Sequence, residues 1–107
     1  MRLPKVIADL VHAQGRFDSM AYADCFSETA LVHDEGRVYT GRKEIQQWIA
    51  EANEKYQAIM QPIAYEENGI TSMLTAQVSG SFPGSPLVLY YHLELTEGLI
   101  SALRITG

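Results

Sequence analysis

The second half of the chain, from Ile59 to Thr106, alternates between apolar and polar residues almost without interruption. The alternation is broken at three places: Asn68-Gly69, the segment FPGSP at residues 82–86, and Glu97-Gly98. A period of two places successive side chains on opposite faces of a β-strand, and Asn-Gly between two such runs is a strong hairpin signal. The pattern predicts a meander of long antiparallel strands at residues 59–67, 70–82, 87–95 and 99–106.

The first half has a helical period instead. Apolar residues recur at helical spacing between Pro4, which suits a first helical turn, and Gly15, which predicts the first helix. Asp18 is a candidate cap for a second helix at residues 19–26. Apolar positions at i, i+3, i+4, i+7 and i+11 from Ile45 to Tyr56 predict the third helix. Between the second and third helices, residues 30–34 and 37–39 read as short strands.

This order of elements predicts an α+β fold in which the N-terminal helices cover one face of a curved sheet. With 107 residues, the chain has the usual size of one domain, so residues 1–107 are assigned to a single domain. A sheet that curves around helices leaves a concave mouth, and such mouths are typical binding places for small molecules.

Charge and cysteine content exclude several classes of partner. The net charge is −5 and no run of Lys or Arg is present, which argues against a nucleic acid or a membrane as partner. Cys25 is the single cysteine, and no Cys/His spacing indicates a zinc site. The N-terminus lacks the features of a signal peptide or a membrane span. We expect no metal or cofactor, and a cytoplasmic protein.

Four segments resemble the nuclear transport factor 2-like superfamily, and within it the SnoaL-like group that includes polyketide cyclases and ketosteroid isomerases. They are CFSETALVHDEG (25–36), GRKEIQQW (41–48), VSGSFPGSP (78–86) and LYYHLELTEGLISAL (89–103). The resemblance implies a cystatin-like, cone-shaped sheet, antiparallel or mixed, with a cavity between sheet and helices, and often a homodimer packed through the sheet.

The resemblance also implies a candidate catalytic residue. Ketosteroid isomerases carry an aspartate general base near the end of the first strand, and that position falls on Asp34. A carboxylate facing an apolar cavity loses hydration, which raises its pKa and makes it a better proton acceptor. The alternative is that Asp34 is a solvated residue of the turn before Gly36.

The isomerase pattern is matched only in part. In ketosteroid isomerases, a tyrosine on helix one and a protonated acid on a late strand hold the enolate oxygen. The position of that tyrosine falls near Leu10 of this chain. The position of the acid falls near Tyr91, which becomes the second candidate catalytic residue. The pair of aspartates flanking an arginine in epoxide hydrolases of this fold has no counterpart. By alternation, His33 faces away from Asp34, and His92 faces away from Tyr91.

The remaining candidates are apolar and aromatic side chains that could line the cavity or simply pack in the core. They are Tyr22, Val32, Trp48, Tyr56, Leu74 and Leu89.

Two functions therefore compete at the level of sequence. In the first, the protein is a cofactor-free isomerase or cyclase acting on a small hydrophobic carbonyl compound, with Asp34 as base. In the second, it is a non-catalytic dimeric module that binds a small hydrophobic ligand or a protein partner.

Overall fold

A single six-stranded sheet with three helices packed on one face makes up the computed structural model, which describes residues 1–107. The helices are α1 (Lys5–Gly15), α2 (Ser19–Asp24) and α3 (Gly41–Tyr56). The strands are β1 (Phe26–Asp34), β2 (Arg37–Thr40), β3 (Ile59–Asn68), β4 (Thr71–Ser79), β5 (Leu87–Thr96) and β6 (Leu99–Thr106). The predicted α+β class is confirmed.

The strand order is β2-β1-β6-β5-β4-β3, so the four strands of the predicted meander are neighbours in the sheet. All pairs are antiparallel except β1 with β6, which is parallel. The sheet is therefore mixed, and β6 lies in its middle.

Side chains alternate across the sheet as the sequence predicts. On β4, Leu74, Ala76 and Val78 are buried against the helices. On β5, Tyr91 and Leu93 are buried on the inner face, whereas Val88 and Tyr90 are exposed on the outer face. Each fully buried Leu or Ile contributes roughly 1.5–3 kcal/mol through removal of apolar surface from water.

The boundary between α2 and β1 differs from the prediction. The second helix ends at Asp24 rather than at residue 26, and β1 begins at Phe26 rather than at residue 30. Phe26 pairs with Ile100, and the register with β6 then shifts before Leu31. Such an irregularity inserts unpaired residues and disturbs the period of two, so the sequence pattern places the start of β1 too late.

The predicted long strand at residues 70–82 is also shorter in the structure. The hairpin loop is Gly69-Ile70, with φ of 70° at Gly69, and β4 begins at Thr71. The strand ends at Ser79 because the chain then turns against the end of α3, where the Ser81 amide donates to the Tyr56 carbonyl at 2.6 Å.

The helix starts are fixed by local hydrogen bonds. The Asp18 carboxylate accepts from the Ala21 amide at 3.0 Å, which confirms the predicted cap of α2. At the start of α3, Glu44 accepts from the Thr40 amide at 2.9 Å, and Arg42 donates to the Phe26 carbonyl at 2.7 Å. The last contact ties α3 to the beginning of β1.

None of the three helices has the length and hydrophobicity that a membrane-spanning segment requires.

Candidate active site

A cavity of about 520 Å³ lies between the inner face of the sheet and the three helices. Hydrophobic residues make up 13 of the 20 that line it. Its size and composition are those of pockets that bind small organic molecules.

Asp34 lies at the end of β1 and lines this cavity. The alternation of β1 places Ala30, Val32 and Asp34 on the inner face, whereas His33 is exposed on the outer face. The pKa of Asp34 is raised above its ordinary value, mainly because burial removes hydration from the carboxylate, and further because of the charge of Glu35. Trp48 acts in the opposite direction, since its indole N–H donates toward the carboxylate.

Two tyrosines face the same part of the cavity. Tyr22 on α2 and Tyr91 on β5 are only 2% and 6% exposed. Burial raises the pKa of both phenols, and the charge of Asp34 adds to the shift of each. Strand β6 pairs Arg104 with His33 and Ile105 with Tyr91, so Asp34 and Tyr91 lie at the same level on either side of it. As neutral phenols at ordinary pH, the two residues keep an O–H to donate.

The two tyrosine hydroxyls have no hydrogen-bond partner within the protein. Every side-chain nitrogen or oxygen that is sealed from solvent does have one. The hydroxyls of Tyr22 and Tyr91 therefore each keep a small accessible surface, and both residues line the cavity. Next to Asp34, they form a carboxylate with two donors that are free to bind a ligand oxygen.

Trp48 is held between two aromatic rings. Its indole stacks on Tyr39 at a centroid distance of 5.4 Å and meets the edge of Tyr22 at 6.1 Å. This packing fixes the direction of the indole N–H toward Asp34.

The structure separates the six candidate wall residues into two groups. Tyr22, Trp48, Tyr56 and Leu89 line the cavity. Val32 and Leu74 do not: both have 0% exposure and belong to the solid core, so their assignment to the wall is corrected. Alternation correctly predicts that both side chains lie on the inner face of the sheet, but the packing of the helices covers them completely.

Leu10, at the position of the isomerase tyrosine on helix one, is fully buried and absent from the cavity wall. Tyr22, whose hydroxyl the sequence analysis did not single out, does line the cavity. His92 faces away from the cavity, as expected, and its Nε2 lies 3.0 Å from the Thr106 hydroxyl. The Cys25 thiol is buried, which raises its pKa to about 11 and leaves it protonated.

Gln14 and Asn53 are polar wall residues that the sequence analysis missed entirely. Both are buried, and the Gln14 amide nitrogen donates to Asn53 Oδ1 at 3.1 Å and to the Ala58 carbonyl at 2.6 Å. The available signal was a polar residue on an apolar helical stripe, since Asn53 follows Ile45 and Ile49 at intervals of four.

Comparison with solved structures gives relatives over the full length of the chain, whereas no protein-family model and no curated protein matches it. A candidate polyketide cyclase from Sinorhizobium meliloti is 31% identical with a TM-score of 0.92, over 97% of this chain and 95% of that one.

Two more distant structures share the fold. A protein from Catenulispora acidiphila, described as having a ketosteroid isomerase-like fold, is 17% identical with a TM-score of 0.88, over 99% of this chain and 87% of that one. An NTF2-like protein from Cytophaga hutchinsonii is 14% identical with a TM-score of 0.78, over 94% and 85%. The identity and coverage shared with the Sinorhizobium protein, together with the fold, show that the chain belongs to the SnoaL-like group of the nuclear transport factor 2-like superfamily.

Proposed function

We propose that the protein is a cofactor-free isomerase or cyclase that moves a proton on a small hydrophobic carbonyl compound, with Asp34 as the general base. The observation that carries the proposal is the position of one half-buried carboxylate beside two unpaired tyrosine hydroxyls in an otherwise mainly apolar cavity. The Sinorhizobium relative, described as a candidate polyketide cyclase, supports the same class of reaction.

In the proposed reaction, Asp34 removes a proton from the carbon next to the substrate carbonyl. The electron pair of the C–H bond forms a C=C bond, and negative charge moves onto the carbonyl oxygen. A raised pKa makes the carboxylate a stronger acceptor for this proton.

The hydroxyls of Tyr91 and Tyr22 donate to the oxygen on which this charge develops. Preorganised donors of this kind lower the barrier most in a cavity that excludes water. Tyr91 thus keeps the donor role that the sequence analysis gave it, and Tyr22 joins it.

The enolate then has two outcomes that need no oxidant or reductant. Protonation at a different carbon by the Asp34 carboxylic acid gives an isomer of the substrate. Attack of the enolate carbon on a second carbonyl of the same molecule forms a C–C bond and closes a ring, and the new alkoxide takes the proton back. Both outcomes return Asp34 to its carboxylate form.

The non-catalytic alternative requires a solvated Asp34 with an ordinary pKa. The half-buried position of the carboxylate and its raised pKa favour catalysis over that alternative.

A homodimer is compatible with either function, and we place its interface on the outer face of the sheet. Val88 and Tyr90 on β5 expose 44% and 37% of their surface there. Replacing Val88 with Lys should shift a dimer toward monomer in native mass spectrometry, whereas a wild type that is monomeric contradicts the interface.

The catalytic proposal is tested by proton exchange on β-tetralone, a bicyclic ketone whose acidic C–H bonds can be followed by NMR in heavy water. We expect the wild type to accelerate deuterium uptake and the Asp34→Asn variant to lose about 10²–10⁴-fold of that acceleration, the usual contribution of a general base. Asp24→Asn is the matched control, because Asp24 is exposed and lies outside the cavity.

Equal exchange by the Asp34→Asn variant and the wild type contradicts the assignment of the base. A rate whose pH midpoint lies above 3.8, the ordinary pKa of an aspartate, supports it.

A further inference from the structure

The cavity has two ends, and the pairing of β4 with its neighbours shows how far apart they are. Tyr91 is paired with Leu74 at one end, and Met60 is paired with Val78 at the other. Leu74 and Val78 are four residues apart on β4, a distance of about 13 Å along the strand. Asp34 belongs to the end that holds Tyr91, because β6 pairs Arg104 with His33 and Ile105 with Tyr91, which places Asp34 and Tyr91 at the same level on either side of β6.

The opposite end contains the amide pair Gln14 and Asn53. Gln14 donates to the carbonyl of Ala58, which lies two residues before Met60 and so beyond the Val78 end of the sheet. Leu89 and Ile49 are among the apolar residues of the wall that both ends share.

Hydrogen bonds fix the orientation of both amides. The Ala58 carbonyl needs a donor, so the Gln14 nitrogen must face it, and the second hydrogen of that nitrogen goes to Asn53 Oδ1. The Gln14 oxygen and the Asn53 nitrogen remain without protein partners.

These two atoms are open to the cavity. Gln14 and Asn53 are 7% and 8% exposed and line it, and no sealed side-chain nitrogen or oxygen lacks a partner. The far end thus presents one acceptor, on Gln14, and a donor group with two hydrogens, on Asn53.

We infer that Gln14 and Asn53 form a second polar subsite that selects substrates with a hydroxyl group at the end opposite the reacting carbonyl. A hydroxyl accepts from Asn53 and donates to Gln14 at once, whereas a carbonyl or ether oxygen satisfies only Asn53. The inference rests on the proposed function, since it treats the Asp34 end as the reacting end. The substrate class is an elongated hydrophobic ketone with a distal alcohol.

Calorimetric binding of two matched probes tests the subsite. Both are para-phenylphenols, one with a methyl and one with a hydroxymethyl group at the far para position. We expect the wild type to bind the hydroxymethyl probe about three- to tenfold more tightly, the range that one net hydrogen bond supplies. The Asn53→Leu variant should lose or reverse this preference.

Gln47→Leu is the matched control, because it removes an exposed amide from the solvent side of the same helix. It should keep the wild-type preference. Should Asn53→Leu fail to give a cooperative thermal transition, Asn53→Ala takes its place with the same expected loss.

The outcomes separate the two proposals. If both probes bind equally well to the wild type, if an Asn53 variant keeps the preference, or if Gln47→Leu also loses it, the subsite is refuted while ligand binding in the cavity stands. If neither probe binds, the cavity function fails and the subsite fails with it.

Discussion

Replacing Tyr91 or Tyr22 with Phe removes one hydroxyl and keeps the aromatic ring that packs in the wall. Neither hydroxyl has a hydrogen-bond partner in the protein, so the free energy of unfolding should change by less than about 1 kcal/mol. The catalytic effect should be much larger. Loss of one donor to a developing oxyanion typically costs about 10²–10³-fold in rate, or about 3–4 kcal/mol.

Deuterium uptake by β-tetralone and thermal unfolding, measured on both single variants and the double variant, separate these effects. If the two hydroxyls donate to the same oxygen, their losses are not additive, and the double-mutant cycle should give an interaction energy of roughly 0.5–3 kcal/mol.

Tyr65→Phe is the matched control. The Tyr65 hydroxyl lies outside the cavity, 3.1 Å from the Ser72 hydroxyl and 3.2 Å from Glu67. This variant should lose about 1 kcal/mol of stability at unchanged exchange rate. Wild-type exchange rates in both Tyr22→Phe and Tyr91→Phe would refute the donor role.

Two further predictions concern stability. Because the folded pKa of Asp34 lies above its unfolded value near 3.8, stability falls as pH rises from that value through the folded pKa. Asp34→Asn should therefore melt at a higher temperature than the wild type at neutral pH, and an unchanged or lower melting temperature there contradicts the burial cost. Gly80→Ala should destabilise the fold by about 1–3 kcal/mol, because an added Cβ would lie 2.5 Å from the Tyr56 carbonyl oxygen. Gly15→Ala, with no atom within 4 Å of its Cβ, is the control and should cost nothing in the same melting experiment.

The strands and helices could be predicted because their periods are local properties of the sequence. The inward alternation of β4 and β5 and the cap at Asp18 appear in the structure as expected. Pairing partners distant in sequence have no local signal. The parallel pairing of β1 with β6, for example, joins Phe26 to Ile100, and only the fold as a whole determines it.

The sequence predicts which face of the sheet each candidate side chain lies on, but not whether that side chain reaches the cavity. Alternation and the family resemblance place Asp34 and Tyr91 on inward-facing positions, where the structure has them. Val32 also faces inward, yet the helices cover it completely. Which inward residues reach open space depends on how the helices pack, and a strand pattern does not contain that information.

The polar end of the cavity shows a second limit of prediction from sequence. Gln14 and Asn53 interrupt apolar helical stripes, a signal that marks an unusual position but not its partner. Their hydrogen bond joins residues 39 positions apart, so their role emerges only from the tertiary fold, which brings the end of α1 close to Asn53 of α3.

The place of β6 between β1 and β5 also determines when the domain can fold during translation. The hairpins β3–β4 and β4–β5 join neighbours in the chain and can form early in the nascent polypeptide. On the other side, β1 has only the four-residue β2 as a partner until β6 has left the ribosome. A ribosome that stalls before this point therefore presents two incomplete half-sheets with apolar inner faces, which are substrates for chaperones and for aggregation.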